Sequence, residues 1–309
     1  MDSKFGVFLK IMSTLSATLM LACVKGLHGF IPTGEVIFFR SFFALLPLVI
    51  WLKFQGDFFK QIKTRNVGGH IIRGFSGTGG MFFNYLALVY LSLADVTAIS
   101  YAAPLFTVVM AALMLKEKVF FTRWLSIIVG FSGILLMLSG KLSLGQNLSF
   151  ENIQNNKTLI GATFAIIAAA CAATSNIQIR FLNGREAPGA IVFWFSIMTT
   201  VIGLMTVMTW NMPDAWQLCL LIGCGLFGGT AQILVTLSLR YADASLLAPF
   251  DYTTLVWSMI IGYAFLNSMP DHNTLVGASV VALAGIFNIV TNQRKQKSLK
   301  EMKSTECAK

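Results

Sequence analysis

Two charged residues stand where an apolar chain can least accommodate them. Asp251 falls about seven residues into a hydrophobic run, and Arg40 lies inside another. A charge in hydrocarbon costs several kcal/mol unless it is protonated, paired or hydrated, so each is expected to face a cavity or a polar partner. A carboxylate so placed can hold an amine or take up a proton; the plainer alternative is a structural carboxylate bonded to a tyrosine or to backbone. The guanidinium can grip a carboxylate or phosphate with its planar fork, or else snorkel to the nearer surface. Glu35, higher in the same run as Arg40, reads as a residue of the mouth or of an interface.

Other residue types could line a site. Asn84, Tyr85, Tyr101, Asn176, Gln178, Trp194, Gln232, Tyr252 and Trp257 carry stacking faces and hydrogen-bonding edges within apolar runs, where packing is the competing role. Pro104 and Pro249 each remove a helical N–H inside a run, which breaks or kinks a helix beside a cavity or a neighbour. Asp95 and Asp243 precede runs and read as helix N-caps. Glycines such as Gly74, Gly77, Gly80, Gly225, Gly228 and Gly229 read as points of close helix contact. The three histidines and five cysteines show no metal or redox spacing, and Cys23, Cys171, Cys219 and Cys224 sit in apolar runs as small core residues. With no paired nucleophile and base, no metal cluster and no phosphate-binding loop, the pattern argues against an enzyme or an ATP-driven pump, and no cofactor is expected.

The elements that must position these residues follow from composition. Hydrophobic residues make up 56% of the 309, and charged ones only 12%, about half the share of a soluble domain. The apolar residues arrive in runs of about twenty, the length that crosses roughly 30 Å of hydrocarbon. Polar and Gly/Pro breaks place ten spans: Gly6 to Val24, Thr33 to Leu52, Gly68 to Val89, Val96 to Leu115, Phe120 to Leu138, Leu159 to Ile179, Gly189 to Thr209, Leu218 to Leu237, Ala244 to Leu266 and Thr274 to Val290. The first is expected to be retained, because Lys10 interrupts it and no small-residue cleavage site follows. With both termini inside, 19 Lys and Arg fall on the cytoplasmic side, Arg73 among them, against 3 outside, Lys25, Lys141 and Lys157. The net charge of +10 is spread between hydrophobic runs and the tail rather than forming one face, so nucleic acid is not an expected partner.

The chain also repeats itself weakly at a shift of about 150 residues: Gly74, Gly77, Leu88 and Tyr90 meet Gly225, Gly228, Leu239 and Tyr241, and Gly133-Ile134 meets Gly285-Ile286. Five spans per repeat is an odd number, so the second copy must enter the membrane inverted, which is a transporter architecture. The stretch Tyr85-Leu86-Ala87-Leu88-Val89-Tyr90-Leu91-Ser92-Leu93-Ala94-Asp95, followed by Ala103-Pro104-Leu105-Phe106 and Lys116-Glu117-Lys118, resembles the EamA family of the drug/metabolite transporter superfamily. Its second-half counterpart is Tyr241-Ala242-Asp243-Ala244-Ser245, then Ala248-Pro249-Phe250-Asp251-Tyr252, and Phe38-Phe39-Arg40 is similar to the family as well. Asp251 stands where the family usually has Glu, and Ser268 where an acidic residue is usual.

The resemblance implies an all-α integral membrane protein of two inverted five-helix repeats, residues 1–150 and 151–291, with a basic cytoplasmic tail over 292–309. It implies a multi-pass protein of the bacterial inner membrane that alternates access to move an amino acid, S-adenosylmethionine, riboflavin or a nucleotide-like compound. The lipid bilayer and the small-molecule substrate are the expected partners, protons a candidate coupling ion, and the protein a monomer or homodimer. A receptor or channel-like protein without carrier activity is the alternative.

Overall fold

The computed structural model describes residues 3–27, 29–54, 56, 58–103, 106–107, 121–139, 157–183, 186–241, 247–267, 270–284 and 286–287. These residues are helical, with no strand among them: α1 (Ser3–Gly26), α2 (Thr33–Phe54), α3 (Phe58–Ile62), α4 (Val67–Tyr90), α5 (Leu93–Ser100), α6 (Phe121–Ser139), α7 (Lys157–Asn183), α8 (Pro188–Leu204), α9 (Ala215–Tyr241), α10 (Thr253–Leu266) and α11 (His272–Ala284). The stretches Lys4–Gly26, Thr33–Phe54, Lys157–Ile179 and Ala215–Ser238 are long and apolar enough to cross a membrane; Gly189–Leu204, Phe250–Leu266 and His272–Ala284 are shorter apolar helices. The tail over 292–309, Pro104, Glu117, Asp243 and Ser268 lie outside the described residues.

Local chemistry sets the ends. Asn66 caps α4 by accepting the Gly69 N–H at 3.0 Å. The cap of α5 is Ser92, not Asp95 as the sequence suggested. Ser92 accepts the Asp95 N–H at 3.2 Å while the Asp95 carboxylate reaches back to the Ser92 N–H at 3.3 Å, a reciprocal capping box. Pro188 stands in the first turn of α8, where its missing N–H breaks no helical bond. α10 stops at Asn267 in a left-handed conformation, φ 47°. The short α3 was not anticipated; the Trp194 indole N–H donates to its last carbonyl, Ile62 O, at 2.8 Å.

Two spans are interrupted. α5 ends after eight residues at Tyr101, and a 3-10 turn, Ala248–Tyr252 with Pro249 at its start, precedes α10. The two interruptions meet: the Tyr101 hydroxyl donates to Asp251 O at 3.0 Å and accepts from Leu255 N–H at 3.1 Å, and the Tyr101 and Tyr252 rings are 4.7 Å apart.

Pairwise contacts fix the direction of each helix. Along α1 and α9, Gly26 meets Leu220, Cys23 meets Gly223, Ser13 donates to Ala231 O and Phe5 meets Tyr241, so the pair is antiparallel. Along α4 and α7, Leu91 meets Gly161, Gly80 meets Ala172 and Gly69 meets Leu182, again antiparallel. α2 runs parallel to α9, with Phe43 on Gly225 and Pro47 on Gly229, and antiparallel to α8, with Phe38 on Gly203 and Leu52 on Gly189. α8 in turn runs parallel to α4, with Met198 on Gly74 and Ile191 beside Arg73. Following the chain of contacts, α1, α4 and α8 point one way and α2, α7 and α9 the other. The first helix of the second repeat therefore opposes the first helix of the first. Exchanging the repeats turns the α1–α9 pair into the α7–α4 pair, and these are the two most extensive helix interfaces described.

Small residues make these contacts close. Lipid tails are as apolar as leucine, so helices in a bilayer are held by packing and hydrogen bonds rather than by exclusion from water. A Cβ on Gly203 would stand 2.7 Å from Phe38 N, and one on Gly229 would stand 2.9 Å from Ala44 O, so backbone meets backbone at both crossings of α2.

Candidate functional site

Between the halves lies a cavity of about 260 Å³. α2 brings Arg40 to it, α4 brings Asn84 and Tyr85, α5 brings Ser100, α7 brings Ser175 and Asn176, and α8 brings Phe195. Arg40 is 7% exposed. Its Nη1 finds only the Met81 sulfur at 3.7 Å, and its Nε has no partner among the described residues. The side chain lies against α9 because position 228 is glycine: a Cβ there would stand 3.1 Å from Arg40 Nε and 2.9 Å from Met20 Sδ. Tyr85 is buried with its hydroxyl unpartnered among the described residues, while Asn84 donates to Ser100 Oγ at 3.3 Å. A buried guanidinium with an unpartnered Nε and only a sulfur at Nη1, beside an unpartnered hydroxyl, is a set of under-used donors that an acceptor would satisfy, since leaving such groups unmet costs about 1–3 kcal/mol each, and more when charged.

The polar groups that do have partners mark the rest of the interior. Lys10 Nζ and Asp251 Oδ1 are 2.6 Å apart, joining α1 to the 3-10 turn; the Lys10 side chain is 11% exposed and that of Asp251 51%. Met20, beside Arg40, is ten residues along α1 from Lys10, about 15 Å of helix, so the ion pair and the cavity draw on different turns of α1. Lys25 donates to Leu88 O at 2.5 Å and Leu91 O at 2.7 Å, capping the C-terminus of α4 with positive charge. Asp95 also accepts from Thr274 Oγ1 at 3.0 Å, and the Asn211 N–H donates to buried Glu35 at 3.1 Å. Outside the spans, Glu186 accepts from Arg65 N–H at 2.7 Å, Asn66 N–H at 2.9 Å and Thr64 Oγ1 at 3.1 Å. Partial burial pushes this carboxyl upward, but those three donors and nearby His70 outweigh it and hold it below the usual carboxylate range.

The sequence profile of the EamA-like transporter family matches residues 4–139 and 159–291. The chain belongs to that family. It is 30% identical over 279 residues to the S-adenosylmethionine uptake transporter of Rickettsia bellii, covering 89% of this chain and 88% of the relative. It is 25% identical over 290 residues to the pseudopaline exporter of Pseudomonas aeruginosa, covering 92% and 95%, and 25% identical over 276 residues to the riboflavin transporter of Vibrio cholerae, covering 88% and 87%. One crystal structure superposes with a TM-score of 0.65 at 15% identity, covering 95% of this chain and 99% of that one, a likeness of fold.

Within this EamA-like chain the residues singled out from sequence divide into two groups. Arg40, Asn84, Tyr85 and Asn176 share the cavity, whereas Asp251, Tyr252 and Tyr101 cluster at the paired helix interruptions. Gln232 borders a much smaller void on the far side of Arg40, with Ser196 and Gly228. Trp194 is engaged with α3, Gln178 lies on α7 away from the cavity lining, and Trp257 is half-buried with its indole N–H unpartnered among the described residues. Pro249 opens the 3-10 turn, and Pro104 lies outside the described residues.

Two residues escaped the sequence reading. Lys10 was read as an interruption of the first run, yet it is the partner of Asp251. Arg73 was counted with the cytoplasmic loop, yet it is 3% exposed on α4, its Nη1 donates to Ile191 O, and its guanidinium carbon lies 4.5 Å from the centroid of the Phe195 ring. The available signal was the span boundary at Gly68, which already placed Arg73 inside a helix.

Proposed function

We propose that this EamA-like protein is a secondary transporter of the bacterial inner membrane that carries a small, carboxylate-bearing metabolite by alternating access. The proposed topology has ten spans with both termini cytoplasmic, as the inside excess of basic residues favours even with the helix-borne Lys10 and Arg73 set aside. The two repeats, residues 1–150 and 151–291, rock against each other around the cavity, and the basic tail over 292–309 stays at the cytoplasmic surface. The observation that carries this reading is Arg40, a buried guanidinium with no carboxylate at ion-pair distance among the described residues, on the wall of a cavity between the halves. A positive charge kept in that condition is stabilised when a cargo brings the anion.

Cargos of the kind named among the relatives support this class unevenly. S-adenosylmethionine carries a carboxylate that Arg40 can hold bidentately, with Asn84, Tyr85 and Asn176 to engage neutral polar edges; riboflavin offers no such group. Asp251, paired to Lys10, is a coupling candidate only where proton uptake competes with that ion pair.

The test is counterflow in proteoliposomes loaded in turn with amino acids, S-adenosylmethionine and riboflavin. Accelerated entry of labelled solute driven by the unlabelled compound inside is the expected result, because only a carrier exchanges solute across the bilayer. Arg40→Lys keeps the charge but loses the planar fork, so it should weaken apparent affinity about tenfold or more while folded protein per membrane is unchanged. Wild-type affinity in that variant would remove Arg40 from the site. Absence of counterflow for every compound would return the protein to the receptor or channel-like reading.

A further inference from the structure

We infer that the cavity selects, among carboxylate-bearing cargos, against those that carry an additional fixed cation, and that Arg73, acting through Phe195, is the second positive charge that sets this preference. The inference rests on the carrier reading above and names its substrate class. Phe195 lines the cavity, and the Arg73 guanidinium carbon lies 4.5 Å from its ring centroid. Arg73 therefore stands directly against a side chain of the cavity wall. It is 3% exposed, with Nε unpartnered and one bond to Ile191 O, and no carboxylate stands at ion-pair distance from it among the described residues. Arg40, on α2, supplies the first cation from the cavity wall itself.

The acidic residues around this pair are occupied elsewhere. Glu35 is bonded to Asn211 N–H at the end of α2, Asp95 is in its capping box, Glu186 holds the loop at Arg65 and Asn66, and Asp214 bonds Gln217 N–H in its own turn. Asp251 is paired with Lys10 and does not line the cavity. No described carboxylate lines the cavity. A cationic group on the cargo would thus meet two positive charges and no counter-charge in a medium that screens poorly. One face of the Phe195 ring is already engaged by the Arg73 guanidinium, so it does not serve a cationic group on the cargo.

A pair of probes isolates that charge. S-adenosylmethionine and S-adenosylhomocysteine differ by one methyl group and the sulfonium charge it creates; L-glutamate adds a dicarboxylate. Isothermal titration of the full chain in nanodiscs should show S-adenosylhomocysteine binding at least tenfold more tightly than S-adenosylmethionine, with glutamate binding measurable. Arg73→Gln should bring the two nucleosides within about threefold of each other, while Arg73→Lys, which keeps the charge without the stacking plane, should preserve the wild-type ratio. Phe195→Leu uncovers the guanidinium and should preserve or widen the ratio, which keeps the idea testable where Arg73→Gln fails to fold. Equal binding of the two nucleosides by wild type, preference for the sulfonium, or binding of none of the three probes would overturn the inference. Counterflow of the same compounds separates it from the carrier reading: transport that prefers S-adenosylmethionine sinks the selectivity alone, and an intact binding order without counterflow sinks transport alone.

Discussion

The Lys10–Asp251 pair should respond unequally to loss of either partner, because its two ends see different surroundings. At a charge separation of about 4 Å the attraction is about 4 kcal/mol at an effective dielectric of 20 and about 1 in bulk water. With one side chain 11% exposed and the other 51%, this pair belongs between those limits, at about 2 kcal/mol. Asp251→Asn leaves an ammonium buried on α1 without its anion, and a cost of about 2–4 kcal/mol is expected, short of the full penalty for a buried charge because the lysine stem can snorkel. Lys10→Met leaves a carboxylate that water already reaches, so a cost of about 1 kcal/mol or less is expected. The double variant should cost less than the sum of the singles by about 2 kcal/mol. Reversible unfolding in mixed detergent micelles, followed by tryptophan fluorescence, gives all four corners of the cycle. Equal single costs, or additivity within about 0.5 kcal/mol, would refute the reasoning and release Asp251 for the cavity.

The remaining predictions concern the loops, the crossings and the topology. Glu186 is held below its ordinary value of 4.5, so its contribution to stability should be complete above that pH and lost as pH falls through the depressed folded value; Glu186→Gln should be less stable than wild type at neutral pH, with the gap in thermal stability closing under acid. Gly203→Ala drives a methyl to 2.7 Å from Phe38 backbone and should cost about 1–3 kcal/mol, whereas Gly68→Ala, whose Cβ meets nothing nearer than 4.0 Å, should be neutral or mildly stabilising in the same unfolding assay. A fluorescent protein fused after Lys309 should fluoresce in the cytoplasm, and alkaline phosphatase fused near Asn152 should be active; an inactive phosphatase there would overturn the proposed topology.

The fold was legible because a bilayer leaves the chain few options. Every backbone polar group must be satisfied within the span, so apolar runs of the right length read as helices almost regardless of side-chain detail. The weak match of Gly74 and Gly77 to Gly225 and Gly228 also had a physical basis: a Cβ at any of the four would crowd a residue of a neighbouring helix, Met198, Phe195, Phe43 and Met20 in turn. The rest was less legible where local chemistry displaced composition. Ser92 rather than Asp95 caps α5 because the side chain of Asp95 is already bonded back to the Ser92 N–H, an exchange that a single acidic residue before a run does not reveal. The helix α3 was hidden because five residues carry no usable periodicity.

The site was half legible, and the division follows from how charge is read in a sequence. Arg40 and Asp251 stand out because each is isolated in an apolar run, but isolation along the chain says nothing about pairing across helices. Lys10 is 241 positions from Asp251 and meets it only because α1 packs beside the turn that precedes α10. Arg73 failed in the opposite sense. It sits near four other basic residues between Lys53 and Arg65, so counting charges for orientation absorbed it into a loop. What separates it from them is a turn of helix, since Asn66 caps α4 and everything after that cap is carried into the bundle. Three residues beyond His70, on the same face, Arg73 is brought against Phe195, and a residue that orients the chain when read in one dimension backs a ring of the cavity wall in three.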